Sequence, residues 1–555
     1  MSARVGMCGL WSQEMRRRKH WGWGYEDDAW SDAQLHAAAP GLAEHLRIAG
    51  DGEVRAAVAL ENVVLPAPRV RASPGLRGIC ASDVHARVTH AWGKSYADVV
   101  RGFHGRFDFP PDVVARPRGE RDVEAVLEWA ADANVAIVPY GGGTSVSGGV
   151  QCEVPDRFDG VVSLDLSAMD RVLQIDDVSH AACIQAGASG PALERQLRAL
   201  DLTLRFYPQS FELSTLGGWI ATRAGGHFAT VETHVDDLVE SVRAVTPAGA
   251  WESRRVPGSG AGPSPDRMLL GSEGILGVIT EAWVRVRPRP QAQALAAVRL
   301  PALERGIDAL RAISQSGLRP SNCRLIDAEE ARMTGAGDGT RALLVLGFEA
   351  ARSTLLPVDE LLDRALVLCA QEGGEWDEGA LRRASPRAGA AGGAGDAVGA
   401  WRKAFFRAPY LRDAFVAMGI LSETFETAVT WERFGALHAA VMAATGEAIG
   451  PLGRVTCRIS HVYPDGPAPY FTVLAPAARG EELEQWAAVK QAASDAILAA
   501  GGTITHHHAI GRDHRRWYDR QRPEPFAAGL RAAKQAVDPR GMLNPGVLID
   551  PAAPR

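Results

Sequence analysis

The sequence predicts an α+β fold, on three observations. From Pro110 a short strand, an amphipathic helix and a second strand run into a glycine loop. Further short strands follow up to Pro288. Beyond Pro288, helices are interleaved with strands, as for helices packed on a largely antiparallel sheet.

Residues 1–105 are mixed, with helical stretches around Ala33–Arg47 and Ala91–Phe103. In the next region, 106–290, Asp112–Ala115 is the first strand and Arg121–Asn134 the helix, with Val123, Val126, Leu127 and Ala130 at helical spacing. Val135–Pro139 is the second strand, completing a βαβ pattern. Val161–Leu166, Val172–Ile175, Ala181–Gln185, Val242–Thr246 and Gly277–Val286 are strands, with a helix over Pro191–Leu200. In 291–480, helices are expected over Leu303–Ser314, Leu355–Gln371 and Trp431–Thr445, and strands over Leu343–Phe348, Thr456–Tyr463 and Tyr470–Leu474. Residues 385–400, nearly all Ala, Gly, Ser, Pro and Arg, suggest a mobile loop. A last region, 481–555, holds helices over Glu481–Ala500, stopped by Gly501-Gly502, and Glu524–Val537.

With 555 residues, 46% hydrophobic and 23% charged, the chain has the composition of a soluble multidomain protein. A net charge of -6 gives no basis for a nucleic-acid partner. The seven cysteines are dispersed, with no Cys-x-x-Cys pair, which argues against disulfides or a zinc or iron–sulfur site. A reducing, cytoplasmic location is the simplest expectation, and no apolar run is long enough to suggest a membrane span.

The strongest local signal is Pro139-Tyr140-Gly141-Gly142-Gly143-Thr144-Ser145. Consecutive glycines let backbone N–H groups approach a ligand closely, and such turns make anion nests suited to a pyrophosphate. The loop is neither a Rossmann fingerprint nor a P-loop. Three more segments of small residues follow: Gln209-Ser210-Phe211-Glu212-Leu213-Ser214-Thr215, then Thr222-Arg223-Ala224-Gly225, then Glu273-Gly274-Ile275-Leu276-Gly277-Val278-Ile279. In this order the four segments resemble the FAD domain of the vanillyl-alcohol-oxidase superfamily. The resemblance implies a two-subdomain FAD-binding domain with an α+β cap over the isoalloxazine ring. It also implies non-covalent FAD, because Thr144 stands where some members carry a flavin-linked histidine.

His506-His507-His508 is the second signal. On an extended strand His506 and His508 would face one side and His507 the other. A solvent-exposed run, a metal pair, and proton transfer or anion binding at an active site all remain open. No acidic residue sits beside the run, so no metal is assigned.

A histidine run after a Gly-Gly stop resembles the alkyl-dihydroxyacetone-phosphate synthase family, and the similarity runs over nearly the whole chain. Trp21-Gly22-Trp23-Gly24-Tyr25, Ser321–Asp327 around Arg324, Pro409–Asp413 around Arg412, Glu423–Thr427 with Trp431, and Cys457–Tyr463 are similar to that family's motifs. Residues 385–400, and His461 and Pro464-Asp465-Gly466 around Tyr463, depart from it, and the peroxisomal signal of animal members is not seen.

The resemblance implies a redox-neutral exchange, through a flavin N5 adduct, of the acyl group of acyl-dihydroxyacetone phosphate for a fatty alcohol. Tyr463 and His506–His508 would be catalytic, and Arg324 and Arg412 would hold phosphate or carboxylate, as a guanidinium fork suits. An ordinary surface ion pair is the plain alternative for each arginine, and Arg402 rivals Arg412. The implied partners are small lipid substrates, with peripheral membrane contact and a homodimer as further expectations. An FAD-dependent 2-hydroxyacid dehydrogenase on the same scaffold is the alternative function, and a non-catalytic FAD-binding protein the third.

Overall fold

A computed structural model describes residues 16–48, 50–351, 356–384 and 397–550. Three sheets organise it. In the first, strands Val113–Ala115 and Val135–Tyr140 both pair in parallel with Gly160–Asp165, which inserts between them. Helix Glu120–Asp132 makes the crossover and buries Val123, Val126, Leu127 and Ala130, the four positions its spacing predicts. The glycine loop therefore leaves the carboxyl end of a parallel strand, where open α/β sheets bind ligands. The edge strand Cys80–Ala81 comes from the region expected to precede this domain.

The second sheet is antiparallel, in the order Val172–Asp176, Ala181–Gln185, Val278–Arg285, Val239–Thr246, Gly249–Glu252. Its inner residues share one apolar core with the first sheet. The C-terminal segment joins this core: Met542, Leu543, Val547, Leu548 and Ile549 are buried in it, and Asn544 N–H donates to the Ile137 carbonyl at 2.7 Å. Buried Lys534, in the expected C-terminal segment 481–555, donates to the Ile275 carbonyl at 2.7 Å.

The third sheet has seven strands, all antiparallel, running Arg382–Ala384, Ala292–Leu300, Ala342–Ala350, Asn322–Ile326, Arg454–Val462, Pro467–Pro476, Ile420–Glu426. Side chains alternate across a strand. Cys457, Ile459, Phe471, Val473, Leu421 and Phe425 pack into the core that includes helices Leu303–Gln315, Val358–Gln371, Trp431–Ile449 and Glu482–Ala499. The opposite face presents Thr456, Arg458, Ser460, Tyr470, Thr472 and Thr424, polar residues at alternate positions.

Three expectations change. The helix expected over Ala91–Phe103 begins only at Tyr96, and a separate helix, Val84–Thr89, precedes it. Gly93 lies in the break, where a Cβ would stand 2.3 Å from the Ser145 carbonyl. The loop expected over 385–400 falls mostly outside the described residues, and its last part opens the helix Ala397–Ala417. The histidine run is irregular rather than extended. Among the described residues no helix is long and apolar enough to cross a membrane.

Candidate active site

One cavity collects residues from both halves of the chain. Gly141, Gly142, Gly143, Thr144 and Ser145 form part of its wall, with Gln209, Ser210, Ser214, Thr215, Thr222, Ala224 and Gly225. The backbone N–H groups of Gly142, Gly143, Thr144 and Ser145 donate to no acceptor among the described residues. Gly142 and Gly143 are buried, and a buried N–H without a partner is costly. Such a row of donors is a ready site for the pyrophosphate of a dinucleotide. Two glycines are sterically required. Gly143 has φ +67°, and a Cβ on Gly142 would stand 1.9 Å from the Leu213 carbonyl.

Other residues predicted for this wall stand behind it. Tyr140 donates its hydroxyl to the Thr89 carbonyl at 3.0 Å, and Pro139 packs on Gly274. Phe211 packs against Gly190, Leu213 is buried, and Glu212 accepts the Tyr410 hydroxyl at 2.6 Å. Arg223 turns to Asp236. Ile275, Leu276, Val278 and Ile279 are core residues beside Gly277, so that segment supports the wall rather than lining it.

Glu273 has a different task. Its carboxylate accepts N–H from Ile510 and Gly511, each at 2.9 Å, and so fixes the end of the histidine loop. Burial raises its pKa to about 7 despite these bonds.

The start of that loop is fixed by Glu426, a residue not assigned from the sequence. Its buried carboxylate accepts N–H from His506, His507 at 3.0 Å and His508 at 2.8 Å, and the Thr505 hydroxyl at 2.6 Å. Burial opposes ionisation of Glu426. The His508 and His506 rings, the Thr505 hydroxyl and the His507 N–H outweigh it, holding the carboxyl below its usual range. An acidic residue therefore does sit beside the histidines in space, although 80 positions separate Glu426 from His506.

Because the loop curls around one carboxylate, the alternating arrangement expected of a strand is lost. His507 and His508 line the cavity, while His506 turns to Tyr463. Burial depresses all three rings, His507 to about 3 and His506 and His508 well below the usual value, so all are neutral near pH 7.

Tyr463, expected to be catalytic, does not line the cavity. It follows the end of strand Arg454–Val462 and lies in a surface cleft, with its hydroxyl 2.6 Å from His506 Nε2. The tyrosine at the cavity is Tyr470, on the next strand. The register sets Tyr470 directly between Arg458 and Glu426. Its ring lies 6.1 Å from that of His507, 5.4 Å from that of His508 and 3.8 Å beneath the Arg458 guanidinium. No group among the described residues hydrogen-bonds its hydroxyl. Alternation in Ala468, Tyr470, Thr472 and Leu474 was the available signal, because it puts Tyr470 on the same face as Arg458.

Both predicted arginines line the cavity. Arg324 is 4% exposed, with its guanidinium 5.1 Å over Trp401 and 5.0 Å over Phe405. Burial, reinforced by Arg458, lowers it to about 9. Arg412, on helix Ala397–Ala417, donates to the Lys94 carbonyl at 2.7 Å. In both, the buried Nε has no partner among the described residues. Among the described residues neither takes part in an ion pair, and Arg402, the rival, is exposed. At one end the cavity opens on an apolar cluster of Leu46, Met333, Leu411, Phe415 and Leu474.

Known proteins resemble this chain in sequence and in structure. Residues 111–253 match the FAD binding domain family, and residues 289–548 match the family of FAD linked oxidases, C-terminal domain. The alkyldihydroxyacetonephosphate synthase of Dictyostelium discoideum is 32% identical over 477 residues, covering 84% of this chain and 78% of that protein. Its counterpart in Trypanosoma brucei brucei is 31% identical over 482 residues, covering 84% and 78%. A solved structure of an alkyldihydroxyacetonephosphate synthase superposes with a TM-score of 0.76 at 26% identity, covering 95% of this chain and 97% of that one. The chain is an FAD-binding protein of the vanillyl-alcohol-oxidase type and belongs to the alkyldihydroxyacetonephosphate synthase family.

Proposed function

We propose that the protein exchanges the acyl group of acyl-dihydroxyacetone phosphate for a fatty alcohol. The observation that carries this is one cavity shared by a pyrophosphate nest, the Tyr470 hydroxyl (unpartnered among the described residues), buried Arg324, half-buried Arg412 and an apolar end. The arginines suit the phosphate and the leaving carboxylate, and the apolar end suits a long alkyl chain.

Gly142–Ser145 would hold the pyrophosphate of FAD, and Thr144 offers no histidine for a covalent link. Bound flavin supplies a nucleophilic centre, so the acyl group can leave without net oxidation. The rest falls to side chains. Tyr470, in place of Tyr463, would move a proton at the carbon that bears the acyl group, with neutral His507 and His508 beside its ring. Arg324 and Arg412 would orient the phosphate and carboxylate.

The domain division 106–290, 291–480 and 481–555 is part of the proposal. It is supported by the confinement of the seven-stranded sheet to 292–476, with 538–549 reassigned to the FAD domain. Contact with an anionic membrane surface is supported by exposed Arg402, Lys403 and Arg407, on the helix whose Phe405 and Ala408 line the cavity.

The test is anaerobic, with the FAD-loaded protein, acyl-dihydroxyacetone phosphate and labelled hexadecanol. Labelled ether product without flavin bleaching is expected. Bleaching by a 2-hydroxyacid with no ether product would replace this proposal with the dehydrogenase.

A further inference from the structure

Three side chains join the cavity to the surface on the side of the histidine loop. His507 lines the cavity, and its Nε2 has no partner among the described residues. Its Nδ1 is 2.9 Å from Nδ1 of His506. The other nitrogen of His506, Nε2, is 2.6 Å from the Tyr463 hydroxyl. That hydroxyl also meets Thr233 Oγ1 at 3.0 Å. Tyr463 borders a second, open cleft, lined also by Thr430, Asp465, Gly501 and Gln521. His506 and Tyr463 touch the main cavity nowhere, so direct contact with substrate does not account for this row.

A neutral imidazole has one N–H and one lone pair on opposite sides of the ring, which lets it accept a proton at one nitrogen and release one from the other. Burial keeps both rings neutral and the tyrosine protonated. The Nδ1-to-Nδ1 contact requires one ring to donate and the other to accept, so the two tautomers are locked together.

We propose that Tyr463, His506 and His507 form a proton relay between the surface cleft and the cavity. The role assigned to it rests on the exchange reaction above. In the first half of the exchange the substrate C–O bond breaks and its electron pair stays on the carboxylate oxygen, while the nucleophilic centre supplied by bound FAD would hold the carbon until the alcohol displaces it. That oxygen takes the Nε2 proton of His507. His507 recovers a proton at Nδ1 from His506, His506 recovers one at Nε2 from Tyr463, and Tyr463 recovers one from water in the cleft. In the second half the alcohol oxygen bonds the same carbon and its O–H proton goes to His507 Nε2. The row then runs backward and returns one proton to the cleft. One proton enters, one leaves, nothing is oxidised, and both rings return to their starting tautomers. Tyr463 thus acts through His507 as a positioning residue.

The test compares wild type with Tyr463→Phe, both loaded with FAD, using labelled hexadecanol in mixtures of light and heavy water. The variant keeps the ring, and its flavin absorbance and Tm report that folding is intact. The relay predicts a kcat about tenfold lower with KM unchanged. It also predicts a proton inventory that is curved in wild type and linear in the variant. His506→Gln gives the same signature. Unchanged kcat and inventory in Tyr463→Phe, or a loss confined to KM, overturns the relay. Wild type that makes no ether product overturns the exchange instead. In that event nitrogen-15 histidine spectra without substrate decide the relay, because Tyr463→Phe must then shift His507 as well as His506. A shift at His506 alone overturns it.

Discussion

The glycine loop and the histidine loop are both irregular backbone on the wall of one cavity, and they treat their N–H groups in opposite ways. Gly142–Ser145 leave theirs without partners among the described residues. His506, His507, His508, Ile510 and Gly511 give theirs to Glu426 and Glu273. A loop with free N–H groups binds through its backbone, and side-chain identity matters there mainly through size. A loop whose N–H groups are occupied is rigid and presents side chains. The first is suited to an anionic cofactor and the second to chemistry.

The largest expected effect is at Tyr470, which the histidine loop serves. Tyr470→Phe should lower the exchange rate about 100- to 10,000-fold. Flavin occupancy by absorbance should be unchanged. Gly142→Ala attacks the other loop. The new Cβ meets the Leu213 carbonyl, and a backbone shift of this kind costs about 1–3 kcal/mol. FAD binding measured by titration should weaken about 10- to 100-fold. Glu426→Gln leaves some N–H groups of the histidine loop without an acceptor. A stability loss of about 1–3 kcal/mol in denaturant melts is expected, with activity reduced about tenfold.

The smallest effect concerns pH. Glu273 has a folded pKa of about 7 against an ordinary 4.5. Below 4.5 both folded and unfolded states hold the proton. As pH rises from 4.5 to about 7 the unfolded state loses it first, so this carboxyl removes stability across that window, at most about 1.4 kcal/mol per pH unit. In Glu273→Gln that decline should be absent, as Tm measured along the same window would show.

The difference between the loops also explains what the sequence disclosed. The βαβ unit and the glycine loop are local, since spacing predicts the buried face of Glu120–Asp132 and consecutive glycines mark a backbone site. The histidine loop depends on distant partners. Glu426 lies 80 residues from His506 and Glu273 lies 237 from Ile510, so neither clamp is visible in a sequence window. The same blindness hides how differently two nearby tyrosines are placed in space. Tyr463 and Tyr470 are neighbours in sequence, but one follows the end of its strand and the other faces Arg458 across a register set only by the sheet. The His506–His508 alternation failed because the loop wraps a carboxylate instead of pairing as a strand.

Measuring flavin absorbance and labelled-alcohol exchange on the same samples of Gly142→Ala and Tyr470→Phe tests this division of labour most directly. Separation is expected: Gly142→Ala loses flavin and recovers exchange when excess FAD restores occupancy, whereas Tyr470→Phe keeps its flavin and does not exchange. Tyr470→Phe exchanging label at the wild-type rate, or losing its flavin as Gly142→Ala does, would contradict it.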